Sequence, residues 1–478
     1  MQDIRLNYVN GSWRSGEEQG ERRNPSDQND VVARFAIASS QDVRDAVAAA
    51  RKGLSSWRAM SPQQRCDILD RVGSEIARRT DELATLLSRE EGKTLPEARA
   101  EVTKAVHTFK YFSGEAVRVG GASLPSVRAG IDVDVRREPV GVVAMITPWN
   151  FPFSIPCWKT APALAFGNCV ILKPSELTSA IAWELAALMH DAGVPPGVFQ
   201  LLMGDGRVGS ALLEEPGIDA VSFTGSAVVG QKIASRAVPR GIKLQLELGG
   251  KNPLLVASDA DMNKAVDATI KGAFYSSGQR CTASSRIIVE SEIHDRFIDE
   301  LVARTAQLRV GNALDSSTHI GPLVSAAQLE RVSGFIEDAA REGVRKAFGG
   351  ETVQRDTEGF FFQPTIYLDG RMGQTINREE VFGPVVSVFR AGDFDEAVRI
   401  ANDTPYGLSA GIFTETHSKA RAFMRASRSG MVTVNLPTVG SDYHVPFGGN
   451  GASGYGPKEM GLGAVEFYTQ TKTIYVGD

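Results

Sequence analysis

Along most of the chain the apolar positions fall into two alternating patterns. Short runs rich in β-branched residues are separated by stretches in which apolar residues recur at helical spacing. Residues 42–57 carry apolar side chains three and four apart, with Ser39 and Ser40 in front as caps, and predict a helix. Residues 62–87 and 95–112 predict two more. Residues 121–138 differ: Gly, Pro and Ser lead into the alternation Ile131-Asp132-Val133-Asp134-Val135-Arg136, which predicts an exposed hairpin. Beyond it, strands are expected at 141–146, 169–172, 199–202 and 220–223, with helices at 161–165, 181–192 and 229–236. The second half repeats the style, with strands at 254–256, 286–289, 385–389 and 431–434 and helices at 261–274 and 294–306. Residues 472–476 alternate again and predict an edge strand. Short strands between helices imply an α/β fold of doubly wound parallel sheets, with a small β element besides.

The length of 478 residues allows about three domains. With 42% hydrophobic and 23% charged residues, disorder and coiled coil are excluded as descriptions of the whole chain. The net charge of −5 gives no sign of a nucleic-acid or anionic-membrane surface. The four cysteines, Cys66, Cys157, Cys169 and Cys281, form no C-x-x-C pair, so neither a disulfide framework nor a zinc ribbon is indicated, and a reducing, cytoplasmic compartment is expected. Residues 1–13 lack the basic and apolar regions of a leader peptide. The stretch 139–158 has no charge for twenty residues, enough to span a bilayer. Pro139, Pro148, Pro152 and Pro156 would break such a helix repeatedly, so a buried strand followed by an uncharged loop is expected instead.

Several segments carry candidate chemistry. Gly204-Asp205-Gly206-Arg207-Val208-Gly209 matches the dinucleotide fingerprint, but no carboxylate follows at the required distance, and a glycine-rich turn is the plainer expectation. Thr224-Gly225-Ser226 joins a strand to a helix, where free N–H groups favour a phosphate. Lys173-Pro174-Ser175-Glu176 follows a strand, where α/β sheets bind ligands; Glu176 would repel a 2′-phosphate and so favours NAD over NADP. Cys281 lies among small polar residues beside Arg280, a cation expected to lower its thiol pKa, whereas Cys157 and Cys169 lie in apolar runs. Glu247, between Leu246 and Leu248 and before a glycine pair, is either a general base raised by burial or a salt-bridged strand end.

Together these residues resemble the aldehyde dehydrogenase family. The resemblance runs from Tyr8-Val9-Asn10-Gly11 to Lys472-Thr473. Its markers are Thr147-Pro148-Trp149-Asn150-Phe151-Pro152, Lys173-Pro174-Ser175-Glu176, Phe223-Thr224-Gly225-Ser226, Glu247-Leu248-Gly249-Gly250-Lys251, Gly278-Gln279-x-Cys281, Glu380-Val381-Phe382-Gly383-Pro384-Val385 and Pro446-Phe447-Gly448-Gly449. It implies two Rossmann-like domains, an NAD-binding one from 1–120 and 139–248 and a catalytic one from 249–446, plus an oligomerisation hairpin and strand at 121–138 and 466–478 that would pair in a homodimer or homotetramer. It further implies Cys281 as nucleophile, Glu247 as general base and Asn150 as oxyanion donor. Lys173, Ser175 and Glu176 would hold the adenosine ribose, Gly225 and Ser226 the pyrophosphate, and Glu380 and Phe382 the nicotinamide ribose. Ile146, Thr147, Pro148, Trp149, Gly206, Phe223 and Leu248 would complete the NAD site; NADP stays open, and no metal is implied. Two departures stand out: Ser276 where the family usually has Asn, and Gly451 where it has Lys.

For the substrate, Trp158, Arg280, Thr282 and Phe447 are the expected contacts. The segment 434–446 and Gly278-Gln279-Arg280-Cys281-Thr282 are similar to those of bacterial 2-oxoglutarate semialdehyde (2,5-dioxopentanoate) dehydrogenases. Arg280 would then bind a carboxylate or else pair with a neighbouring acid. Succinate semialdehyde and aromatic aldehydes remain alternatives, as does a non-redox thiol acyltransferase or esterase using Cys281, or a silent binding homologue. The expected partner is a small aldehyde, with no nucleic acid and no membrane.

Overall fold

A computed structural model describes residues 4–477. Residues 1–3, which open the expected 1–120 segment and the leader-free stretch 1–13, lie outside the described residues, as does Asp478 at the end of 466–478.

Five parallel strands form the heart of an eight-stranded sheet. Val142–Ile146 comes first in the chain; Cys169–Lys173 and Phe199–Leu201 lie to one side, Ala220–Thr224 and Lys243–Glu247 to the other. All five are buried almost throughout, as strands covered on both faces must be. The strand order reverses between Val142–Ile146 and Ala220–Thr224. Such a reversal opens a crevice at the carboxyl ends of the strands, where doubly wound sheets bind their ligands.

A second, seven-stranded sheet runs Arg345–Phe348, Thr365–Leu368, Val385–Ala391, Ser284–Glu290, Asn252–Val256, Ser409–Phe413, Met431–Val434, parallel except for its first strand. The chain passes from the first sheet to the second through residues 248–251 alone, between the end of Lys243–Glu247 and the start of Asn252–Val256. Carboxyl ends of the first sheet therefore meet amino ends of the second.

The hairpin of Ala122–Pro125 and Ile131–Pro139 is completed by Thr469–Gly477, in register from Thr469 opposite Pro139 to Gly477 opposite Ile131. Ala122–Pro125 is exposed throughout and Thr469–Gly477 nearly so, with Leu124, Tyr475 and Val476 open to solvent. Among the described residues no helix is long and apolar enough to cross a membrane.

Four sequence expectations change. The helix expected at 62–87 is two, Pro62–Arg78 and Thr80–Glu91, because Arg79 leaves helical geometry at φ −104°, ψ 17°. The uncharged loop expected up to residue 158 ends earlier. Helix Ser154–Ala165 begins there, with Pro156 in the first turn, where a missing N–H costs nothing. The glycine-rich turn at 204–209 opens a helix, Gly206–Glu214, whose cap is Asp205 accepting from the Arg207 N–H. The expected segment 466–478 likewise starts inside helix Gly461–Tyr468, and its strand begins only at Thr469.

Helix Ser154–Ala165 is held from behind by Trp57, which is wholly buried and donates Nε1–H to the Leu164 carbonyl at 3.1 Å. Trp57→Ala leaves a cavity there. It should destabilise the protein by about 3–5 kcal/mol, read as a lower urea midpoint.

Candidate active site

Helix Met262–Ala273 ends in an abrupt bend in which Ser276 (φ 51°), Ser277 (φ 55°) and Gly278 (φ 66°) are all left-handed. Each non-glycine residue there costs on the order of 1–3 kcal/mol, so its neighbours must hold it. They do. The Ser276 N–H and hydroxyl donate to Glu97 Oε1 (2.7 and 3.1 Å), and the Ser277 hydroxyl donates to the Gly321 carbonyl (2.8 Å). Asn tolerates this conformation best among side chains; at Ser276 one atom, Glu97 Oε1, accepts from both the N–H and the hydroxyl. A Cβ on Gly278 would strike the Gly383 carbonyl. Beyond the bend, Asn252 Nδ2 donates to the carbonyls of Cys281 (2.8 Å) and Ala283 (2.9 Å). Cys281 is thereby fixed at the amino end of strand Ser284–Glu290.

Asn150, past the carboxyl end of Val142–Ile146, reaches the same point. Its Nδ2 donates to the Gln279 carbonyl at 3.0 Å, leaving the second amide proton for another acceptor. The Asn150 carbonyl accepts from Lys93 Nζ (2.7 Å). Lys93 pairs with Glu101 at 2.5 Å, both side chains being out of water. Glu101 also accepts the N–H groups of Phe153 (2.9 Å) and Ser154 (3.0 Å). Sequence reasoning missed this support, as it missed Asn252, Glu97 and Lys159.

Glu247 ends its strand 3% exposed, accepting the Gly449 N–H at 3.3 Å. Burial and the nearby Glu459 carboxylate push its pKa well above the usual range, against Lys458 and Lys159. Glu459 pairs with Lys159, whose Nζ also donates to the Ser222 hydroxyl at 2.7 Å. The Cys281 thiol is pushed up to about 12 by burial and by Glu380, Glu247 and Glu459. This reverses the expectation that Arg280 would lower it, because Arg280 turns away. Its Nη2 meets Glu97 Oε1 at 3.1 Å and the Ser276 hydroxyl at 2.8 Å, and carboxylates face the sulfur instead. Cys157 and Cys169 are fully buried and their thiols are raised too.

Cys281 lies at the meeting of two cavities, and Thr224, Glu247 and Leu248 line both. The first, about 290 Å³, is walled by Trp158, Phe447, Phe151, Thr282, Arg280 and Lys104. The Trp158 and Phe447 rings lie 5.5 Å apart.

The second, about 190 Å³, occupies the crevice at the strand reversal and is walled by Pro148, Trp149, Gly225, Ser226, Glu380 and Phe382. Phe382 is left-handed (φ 59°) and meets the Trp149 ring edge-on at 5.3 Å. Glu380 accepts the Gly250 N–H at 2.9 Å, and burial lifts its pKa to about 7. Ser226 caps helix Ala227–Ala237. Lys173, nearly buried, lies 3.7 Å from the half-exposed Glu176; Ser175 caps the turn between them and Leu177. Gly206 opens its helix with clear space around it. Ile146 and Phe223 pair as strand neighbours at the reversal. The buried hydroxyls of Thr147 and Thr224, at the two strand ends, have no partner among the described residues. A groove with unpaired donors, a capped helix start and a Lys–Glu pair fits a dinucleotide. Among the described residues no group of three His, Cys, Asp or Glu side chains could hold a metal ion. The other departure, Gly451, is left-handed (φ 57°), and a Cβ there would come within 2.6 Å of the Pro405 carbonyl.

A carboxylate beside a thiol opposes the thiolate, so its removal must favour ionisation. Glu380→Gln should therefore raise the rate of Cys281 alkylation by iodoacetamide at pH 8 several-fold, followed on the Cys281 peptide by mass spectrometry. An equal or lower rate would contradict the electrostatics above.

The sequence matches the model of the aldehyde dehydrogenase family over residues 13–474. It is 40% identical to an alpha-ketoglutaric semialdehyde dehydrogenase of Bacillus subtilis, covering 99% of this chain and 98% of that one. It is 42% identical to an alpha-ketoglutarate semialdehyde dehydrogenase of Haloferax volcanii, covering 99% of each. Among solved structures, an NAD-dependent aldehyde dehydrogenase from Sinorhizobium meliloti superposes with a TM-score of 0.97 at 35% identity, over 100% of this chain and 95% of that one. A betaine aldehyde dehydrogenase from Staphylococcus aureus in complex with NAD+ does so at 0.97 and 33%, over 99% and 95%. With its fold and its cysteine-centred pair of cavities, the chain belongs to the aldehyde dehydrogenase family.

Proposed function

We propose that this enzyme oxidises 2-oxoglutarate semialdehyde to the free acid with NAD, through a thioester on Cys281. The observation that carries this is the position of Cys281, open to both cavities, with Asn150 and Glu247 beside it. The names of the two relatives at 40% and 42% identity support the substrate.

The residues divide the work as follows. Cys281 gives up its proton to solvent and adds as the thiolate to the aldehyde carbon, giving a thiohemiacetal oxyanion. The free amide proton of Asn150 stabilises that charge as it develops. Bound NAD supplies the hydride acceptor that lets the adduct become a thioester. Glu247 then takes a proton from water as the water attacks the thioester carbonyl, releasing the acid and the Cys281 thiolate. Burial suits Glu247 to this role, because a raised pKa makes the carboxylate a stronger base. Trp149, Thr147, Pro148, Phe223, Leu248, Gly225, Ser226, Glu380 and Phe382 would hold the nicotinamide half of the dinucleotide and its pyrophosphate. Lys173, Ser175, Glu176 and Gly206 would hold the adenosine half. On this reading 1–120 and 139–248 would form the NAD-binding domain and 249–446 the catalytic one. We place the enzyme in the cytoplasm as a homodimer or homotetramer, with the exposed sheet of 122–139 and 469–477 as the contact between subunits; its bare edges need covering.

With NAD, kcat/KM for 2-oxoglutarate semialdehyde should exceed that for pentanal by on the order of a hundredfold. Equal values would remove the semialdehyde from the proposal. Glu247→Gln should keep a burst of NADH and slow the steady state at least tenfold, whereas Cys281→Ala should show neither. A normal steady-state rate in Glu247→Gln would overturn its role. Glu176→Ser should shift the NAD/NADP preference toward NADP, and an unmoved ratio would free Glu176 from the ribose.

A further inference from the structure

Deepening the proposed function, and resting on it, an acidic substrate raises the question of which cation receives its carboxylate. A carboxylate leaving water for an enclosed cavity needs a charge partner and hydrogen bonds. Two cations line the cavity beside Cys281, Arg280 and Lys104. Arg280 is already neutralised: Glu97 sits 3.1 Å from its Nη2, and the same nitrogen donates to Ser276. A second carboxylate there would meet the Glu97 charge as well as the guanidinium. Arg280 instead ties the left-handed bend at Ser276 to helix Leu95–Glu115 and holds the nucleophile loop.

Lys104 is different. It lies on the same helix face as Glu97 and Glu101, seven and three residues further on. Among the described residues no carboxylate pairs with its ammonium. Its hydrogen bond goes to the neutral Ser441 hydroxyl, and the ammonium lies 4.9 Å from the centroid of the Trp158 ring. Glu101, the acid closest along the helix, is committed to Lys93 and to two backbone N–H groups. Burial pulls the Lys104 ammonium down to about 8, although Glu101, Cys281, Asp442 and Glu459 all favour the charged form. Residues lining the cavity also carry buried donors with no partner among the described residues: the Trp158 Nε1–H, the Arg280 Nε–H and the Thr224 hydroxyl.

We propose that Lys104 makes this enzyme prefer an acidic aldehyde: its ammonium, presented by Ser441 and the Trp158 face, takes the carboxylate at the far end of a substrate whose aldehyde carbon meets Cys281. The Trp158 N–H provides a donor for the remaining oxygens of a 2-oxo acid. Arg280 is a positioning residue.

The test is the ratio of kcat/KM for 2-oxoglutarate semialdehyde to that for pentanal, in the full-length enzyme with NAD. Lys104→Met keeps the stem and removes the ammonium. It should collapse the ratio by roughly 100-fold, mostly through KM for the acid, and Lys104→Arg should restore part of it. Arg280→Gln should lower kcat for both aldehydes alike and leave the ratio within about threefold. If Lys104→Met does not fold, Ser441→Ala, which removes only the prop, should lower the ratio several-fold. A wild-type ratio near one would overturn the semialdehyde reading itself. A high wild-type ratio that survives Lys104→Met, or that collapses in Arg280→Gln alone, would overturn the role of Lys104 while leaving the semialdehyde reading standing.

Discussion

Lys93 and Glu101 meet where water cannot reach either of them, and the reactive centre is arranged around that pair. An ion pair so deeply buried adds little net stability, because desolvating both charges offsets their attraction. What it contributes is position. Lys93 grips the Asn150 carbonyl, and Glu101 grips the first N–H groups of helix Ser154–Ala165. Neither charge can turn away without leaving the other stranded. The loop bearing Asn150 is therefore locked by a larger penalty than hydrogen bonds between neutral groups would impose.

The helix that supplies Glu101 does more than support that loop. One face of Leu95–Glu115 presents Glu97, Glu101 and Lys104 in successive turns. Glu97 first completes the capping box with Thr94, then reaches out to Ser276 and Arg280. Glu101 fixes the asparagine loop, and Lys104 lines the larger cavity beside Cys281. A single rigid element thus sets the bend before Cys281, the Asn150 loop and one wall of the cavity relative to one another. Sites built on helices hold such spacings better than sites built on loops.

The parallel strands were legible because β-branched runs bounded by turns leave few alternatives, as at Val142–Ile146 and Cys169–Lys173. The break at Arg79 was not, since the apolar period of 62–87 continues through it and only backbone geometry interrupts it. Helix Ser154–Ala165 was hidden by its prolines, Pro156 in the first turn, where it is tolerated, and Pro162 in the interior. Cys281, Glu247 and Asn150 stood out by neighbours and motif. The direction of the Cys281 shift did not, because Arg280 is adjacent in sequence while the carboxylates that face the sulfur are more than thirty positions away in the chain or further. The spacing of Glu97, Glu101 and Lys104 on one helix face was available in the sequence as a pattern. Its meaning depended on what the face looks at, which only the tertiary structure supplies.

The short crossing at residues 248–251 has a mechanical consequence. Glu247 closes the last parallel strand of one sheet, and Cys281 lies just before strand Ser284–Glu290 of the other. The distance between Glu247 and Cys281 consequently depends on how the two sheets seat against each other. A substitution that loosens that seating by a fraction of an ångström would shift these two residues apart while both sheets stay folded. In this architecture turnover is a finer gauge of interdomain fit than any melting curve.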